Sequence, residues 1–198
     1  MKRLLLMSMI IGLAMSAGNL QAGEHRIGGG VNYWVAVEDL GDSVQLKADA
    51  SWTECVQRMR SAGQVRPVVP TTLQAELRDY QLDGFHWLAR LAEWGVGGCL
   101  ADDVGRGKTI EALALLLHRA AGGPALVVAP TSVGFNWLNE TNRFAPTLNA
   151  RLFGPGDRDA VFQNLGPRDV VICSYGLLHS EATRFQSQPW HTVILDEA

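Results

Sequence analysis

Short apolar runs recur along this chain, and stretches of helical spacing separate them. The runs are Cys99 to Ala101, Ala125 to Ala129 (ALVVA), Ala150 to Phe153 (ARLF), Asp169 to Cys173 (DVVIC) and Thr192 to Leu195 (TVIL). Helical spacing covers Leu73 to Trp94, with Leu77, Tyr80, Gly84, Phe85, Leu88 and Leu91 on one side. It returns from Lys108 to about Ala121, from Val133 to Phe144 and from Arg158 to Leu165. Gly95, Gly97 and Gly98 break the first helix, and Gly122-Gly123-Pro124 ends the second. Strands alternating with helices mean βαβ units and a parallel sheet covered on both faces. The expected fold class is therefore α/β, a three-layer domain.

Composition narrows the function classes. The chain has 198 residues, 47% hydrophobic and 19% charged, which excludes wholesale disorder. No apolar run reaches the roughly 18–20 residues that a membrane-spanning helix needs. Seventeen basic against twenty acidic residues give a net charge of -3. A polybasic nucleic-acid tail is excluded, though a local basic groove is not. Cys55, Cys99 and Cys173 form no C-x-x-C pair, so neither a zinc site nor a disulfide framework is supported. Cys99 and Cys173 sit in apolar runs and are expected to be small buried hydrophobes.

The N-terminus reads differently. Lys2 and Arg3 precede the apolar run Leu4 to Ala17, and small residues follow. That is the pattern of a secretory signal, although Leu20 occupies the small-residue slot before Ala22. The alternative is an apolar helix belonging to a longer chain. Residues 1–22 are assigned to this segment. Residues 23–70 form a partial upstream domain and linker. Val31, Tyr33, Val35 and Val37 alternate there as in a strand, and Trp52, Cys55, Val56 and Met59 share a helix face over Trp52 to Arg60. Arg66-Pro67-Val68-Val69-Pro70 is extended, because each Pro biases its predecessor away from helix. Residues 71–198 make the α/β lobe, which is read as incomplete.

A phosphate-binding loop is expected where one must lie, between a strand and a helix, with a structural turn as the alternative. The segment is Asp102-Asp103-Val104-Gly105-Arg106-Gly107-Lys108-Thr109. Gly105 and Gly107 permit positive φ and let backbone N–H groups approach phosphate oxygens. The following helix start adds about half a positive charge aimed at the same place. Lys108 supplies a cation for the β and γ phosphates, and Thr109 a hydroxyl for Mg2+. Asp102 replaces the first Gly of the usual pattern. The second half of such a site is a hydrophobic strand ending in acids, here Val193-Ile194-Leu195-Asp196-Glu197. Asp196 can hold Mg2+ through water, and Glu197 can polarise an attacking water. The alternative is a solvated acidic turn. Pairing with Lys108 favours the site, because ligands of open α/β sheets bind beyond the strand carboxyl ends.

The run LRDYQLDGFHWLARLAEWGVGGCLADDVGRGKTIEAL resembles the opening of a Swi/Snf-type helicase-like ATPase of helicase superfamily two. ALVVAPTSVGFNWLNETNRFAP, DVVICSYGLL and TVILDEA match the same family in order and spacing. The resemblance covers roughly Trp52 to Ala198 and has a bacterial flavour. It implies the first RecA-like lobe of a two-lobe ATPase that uses ATP and Mg2+, translocates on double-stranded DNA and remodels protein–DNA complexes. Gln81, with Arg78 and Tyr80 beside it, matches the family's adenine-recognising segment, with a Gln on the polar side of a helix as the alternative. Pro130-Thr131-Ser132 matches a block that contacts the DNA backbone, with an ordinary strand-to-helix turn as the alternative. Ser174-Tyr175 matches a further DNA-side block, with strand-end packing as its alternative. Trp137, on a helix with Asn136 and Glu140, is expected in the core rather than as a base-stacking platform. The loop departs from the family's usual Met-Gly-Leu-Gly at Val104 to Gly107. Glu111 stands where a Gln is usual, in a first helical turn where an acid suits the dipole but mildly repels phosphate. The family's arginine finger belongs to the second lobe, so this chain alone is expected to bind nucleotide weakly and turn it over negligibly. The resemblance implies a cytoplasmic, nucleoid-associated protein with no membrane association. Two rivals stand beside it: a non-catalytic interaction fragment, and an exported protein with a decayed nucleotide fold.

Overall fold

A computed structural model describes residues 50–101, 107–154 and 156–197, with side chains from Glu54 onward. The signal-like segment and the alternation at Val31 to Val37 lie outside the described residues. The elements in chain order are α1 (Ala50–Gln64), α2 (Asp79–Trp94), α3 (Lys108–Arg119), a 3-10 turn (Ala120–Gly122), β1 (Ala125–Ala129), α4 (Gly134–Phe144) and β2 (Asn149–Leu152). They continue with α5 (Arg158–Phe162), β3 (Asp169–Ser174), α6 (Tyr175–Ser180), α7 (Ala182–Gln186) and β4 (Thr192–Leu195).

The four strands form one parallel sheet in the order β2-β3-β1-β4. Ala125 of β1 stands opposite Val170 of β3 and Thr192 of β4, and Asn149 of β2 opposite Asp169. Alternation along the strands divides the core. Ala125, Val127, Ala129, Val170, Ile172 and Ile194 face α2, α3 and Trp137 of α4. Leu126, Val128, Val171 and Cys173 face the opposite layer, where Phe153 and Phe185 pack edge to face with centroids 4.9 Å apart. Val127, Val128, Val171 and Ile172 are fully buried. Burial of that kind stabilises by about 1.5–3 kcal/mol per side chain. The short helices α5 and α7 are joined across the surface by the ion pairs Arg158–Glu181 and Arg184–Asp159. This is the three-layer α/β fold that the alternation of runs implies.

Five details differ from the sequence reading. Helix α2 starts at Asp79, not Leu73: the Gln74 N–H donates to the Phe144 carbonyl at 2.7 Å, which holds the preceding segment outside the helix. Cys99 to Ala101 pairs with no described strand, because the sheet's order ends at β4. Leu100 alone of the three enters the core, so Cys99 is exposed rather than buried. Helix α5 ends at Phe162, three residues early, and α6 and α7 fill a stretch to which the periodicity assigned no element. At the other end of α2, Gly95 adopts φ 85°, a left-handed conformation that closes the helix as its N–H reaches the Leu91 and Ala92 carbonyls. Helix α1 lies against α2. The Trp94 indole donates to the Cys55 carbonyl at 3.2 Å, and Arg90 to that of Val65 at 3.3 Å.

Candidate functional site

The direction of each helix decides which predicted residues share an end of the sheet. Arg119, at the last turn of α3, donates to the Thr192 hydroxyl at 2.9 Å and the His191 carbonyl at 3.2 Å. Thr192 opens β4, so α3 finishes at the strands' amino ends. Its 12 residues rise about 18 Å, close to the length of a five-residue strand. Lys108 at its start therefore lies toward the carboxyl ends. Asp196 follows β4 at that same end, where its N–H donates to the Val128 carbonyl at 2.8 Å. Pro130, Thr131 and Ser132 follow β1, and Ser174 ends β3, also at this end. A parallel sheet gathers there residues more than 80 positions apart.

The loop side is built on glycine. Gly107 precedes α3 at φ 79°, the left-handed region that favours glycine. A Cβ there would also lie 2.6 Å from the Gln81 amide nitrogen. Gln81 is buried; its Nε2 donates to the Gly107 carbonyl at 3.4 Å, and its Oε1 accepts the Arg78 N–H at 3.0 Å. Its amide thus links the start of α2 to Gly107, the residue that leads into α3. Arg78 is exposed, while Lys108 and Thr109 are partly buried in the first turn of α3. Gly105 lies outside the described residues. Glu111 is completely buried, and a Cβ placed at Gly84 of α2 would meet its Oε2 at 3.1 Å. The carboxylate lies in the first turn of α3, as read from the sequence, and is packed against α2, where Gly84 leaves it room.

The acidic side carries an unforeseen contact. Trp137 is core, as its place on α4 suggests, but its indole N–H also donates to Asp196 Oδ2 at 2.7 Å. The Tyr175 hydroxyl donates to the Asp196 carbonyl at 2.9 Å. Burial first, and then the negative charge of Asp196, raise the Tyr175 pKa, so the phenol keeps its proton and stays a donor. Glu197 is exposed and adopts φ 53°. Ser174 caps α6 by accepting the Leu177 N–H at 3.2 Å. Thr131 and Ser132 are exposed at the tip of β1, whereas Pro130 is partly buried. Sequence reasoning placed Trp137 correctly but missed its donor role. The residue type was a signal, since a buried indole N–H seeks an acceptor.

The donor chemistry fits magnesium. Among the described residues no three His, Cys, Asp or Glu side chains gather into a cage. A hydroxyl at Thr109 and a carboxylate at Asp196 are hard oxygen donors, few in number. That suits an ion that keeps several waters and shares its remaining positions with phosphate oxygens. No described helix is long and apolar enough to cross a membrane.

Comparison with known proteins agrees with this arrangement. The model of the SNF2-related domain matches residues 80–198. YwqA of Bacillus subtilis (strain 168), whose name describes an ATP-dependent helicase/translocase, is 44% identical over 140 residues. That match takes in 66% of this chain and 15% of YwqA. The ISWI chromatin-remodeling complex ATPase CHR17 of Arabidopsis thaliana is 42% identical over 170 residues, 79% of this chain and 16% of that protein. The Sulfolobus solfataricus SWI2/SNF2 ATPase core, solved in complex with dsDNA, superposes with a TM-score of 0.59 at 32% identity. It covers 66% of this chain and 28% of its own. The chain thus spans about one sixth of the length of these curated relatives. A RecA-like α/β lobe and a match over residues 80–198 together place the chain in the SNF2-related domain family.

Proposed function

We propose that this chain is the nucleotide-binding lobe of an ATPase that moves on double-stranded DNA and remodels protein–DNA complexes, hydrolysing ATP and water to ADP and phosphate. The observation that carries the reading is the meeting of two segments at one end of the sheet: the start of α3 with Lys108, and the end of β4 with Asp196. Lys108 and the N–H groups at the start of α3 take the β and γ phosphates. Thr109 and Asp196 would hold Mg2+, which when bound neutralises charge on the triphosphate. Glu197, one residue beyond Asp196, orients the attacking water and accepts its proton. Gln81 and Arg78 stand beside the loop for the nucleotide's base, with the Gln81 amide also steadying Gly107. Exposed Thr131 and Ser132 offer hydroxyls to a DNA phosphate, a contact that positions without reading sequence. Ser174 and Tyr175 serve this face indirectly, one capping α6 and the other holding the strand end. The names of the Sulfolobus core, solved with dsDNA, and of the plant remodeling ATPase support DNA as the partner.

The test is titration of the chain with a fluorescent ATP analogue in Mg2+. Lys108→Ala should weaken affinity by about 100-fold, the value of one or two strong charge-assisted hydrogen bonds, and leave the melting temperature within about 2 °C. Retained affinity in a folded Lys108→Ala variant would overturn the phosphate assignment.

A further inference from the structure

We propose that Trp137 is a positioning residue for the Asp196 carboxylate, fixing which oxygen Asp196 presents to Mg2+; this rests on the nucleotide reading above. An indole N–H can only donate, so its bond to Oδ2 has one polarity and cannot reverse. At 2.7 Å it has the short length of a bond to a charged acceptor. The donor itself cannot wander. Trp137 is 4% exposed within the main core cluster, and its own carbonyl accepts the hydroxyl of fully buried Thr141 at 2.7 Å. The backbone of Asp196 is pinned on both sides, by the Val128 carbonyl at 2.8 Å and the Tyr175 hydroxyl at 2.9 Å. Backbone and one carboxylate oxygen are therefore immobilised together. Oδ1 accepts no hydrogen bond from the described residues, and it is the oxygen left for a metal or its water. Partners that orient metal ligands in this way affect metal affinity by about 10–100-fold when lost.

The experiment is a Mg2+ titration of fluorescent ADP binding to the full chain, with and without Trp137→Phe, which keeps an aromatic ring and deletes the donor. The Mg2+ midpoint should rise about tenfold, while affinity measured in EDTA stays unchanged. In an Asp196→Ala background, Trp137→Phe should shift the midpoint no further. A merely structural Trp137 would instead weaken binding equally with and without Mg2+, and that result, or an unmoved midpoint, overturns the proposal. Unmutated protein gives a second measurement in case the Phe variant unfolds. In 15N-labelled chain, one tryptophan indole N–H signal should lie downfield and return upfield in Asp196→Ala. If no indole signal moves, the contact is absent in solution and the proposal fails. Failure of the nucleotide reading itself looks different: wild-type ADP binding would then be indifferent to Mg2+ and to Lys108→Ala.

Discussion

The two ends of the sheet are made of the same strands and helices, yet their polar groups are used in opposite ways. At the amino ends, side chains are spent on the fold. Arg119 ties α3 to His191 and Thr192, Arg168 N–H donates to the Ala120 carbonyl at 2.9 Å, and the Asp169 carboxylate accepts Gly166 N–H at 2.8 Å and Arg151 at 3.2 Å. At the carboxyl ends, Thr131, Ser132 and Glu197 face solvent, and among the described residues the Asp196 carboxylate is fastened by one oxygen only. In a parallel α/β sheet the first end closes the structure and the second meets a ligand. Substitutions at the amino end should therefore lower stability and spare nucleotide affinity, the reverse of Lys108→Ala.

Arg119→Ala should have the largest effect of this kind. It removes two hydrogen bonds and leaves the buried Thr192 hydroxyl without its donor. A loss of about 2–3 kcal/mol is expected. In a chain of this size that is a fall of roughly 5–10 °C in melting temperature. Arg119→Lys should recover only part of it, because an ammonium cannot span both acceptors as the guanidinium fork does. Calorimetry paired with the nucleotide titration checks both halves. A drop in affinity equal to that of Lys108→Ala, with unchanged melting, would erase the contrast between the ends.

Gly123→Ala comes next, and separates backbone strain from contact. Gly123 sits at φ 145°, ψ -174°, a region that is essentially glycine-only. Alanine there should cost about 1–2 kcal/mol whatever surrounds it. Neighbouring Gly122 has no positive φ, but a Cβ on it would lie 2.3 Å from the His191 ring. That ring ends an exposed side chain and can swing aside, so Gly122→Ala should cost less. Thermal melts of the two variants, each with and without His191→Ala, decide the matter. Replacing His191 should relieve Gly122→Ala and leave Gly123→Ala as unstable as before.

How much of this was open to a reader of the sequence follows from the range of each interaction. β1 matches its apolar run residue for residue, because burial on both faces leaves no choice of side chain, and β4 matches too, although its Val193 and Leu195 are only partly buried. The positions of Lys108 and Thr109 at a helix start and of Asp196 just past a strand were legible, because a Gly-rich turn before a helical run and an apolar run ending in acids are local patterns. The start of α2 was not, since its limit is a backbone bond to Phe144, seventy positions away. Helices α6 and α7 were hidden by brevity: five or six residues hold too little periodicity, although Ser174 gives a capping signal. The partnership of Trp137 with Asp196 spans 59 positions, and Glu111 reaches its pocket only because Gly84 lies across from it. Local pattern shows which groups are available. Which of them meet is decided by how helices lie on the sheet.

The smallest expected effect sharpens the contrast through pH. His191 caps the amino end beside Gly122 and Gly123, and burial, then the nearby Arg119 charge, lower its pKa below the ordinary value of 6.5. The folded protein therefore resists protonating a group that the unfolded chain protonates readily. Above pH 6.5 the ring is neutral in both states and costs nothing. As pH falls from there toward the lowered folded value, the unfolded state gains protons first and stability declines. His191 is exposed, so solvent limits the size of the effect. His191→Gln keeps a polar side chain of similar reach and removes the titration. Between pH 7.5 and 5.5 its melting temperature should fall by slightly less than that of wild type. The nucleotide affinities of the two proteins should stay in constant ratio across the same range. A ratio that changed with pH would mean that a group at the closing end communicates with the ligand end, and the division of labour between the two would no longer hold.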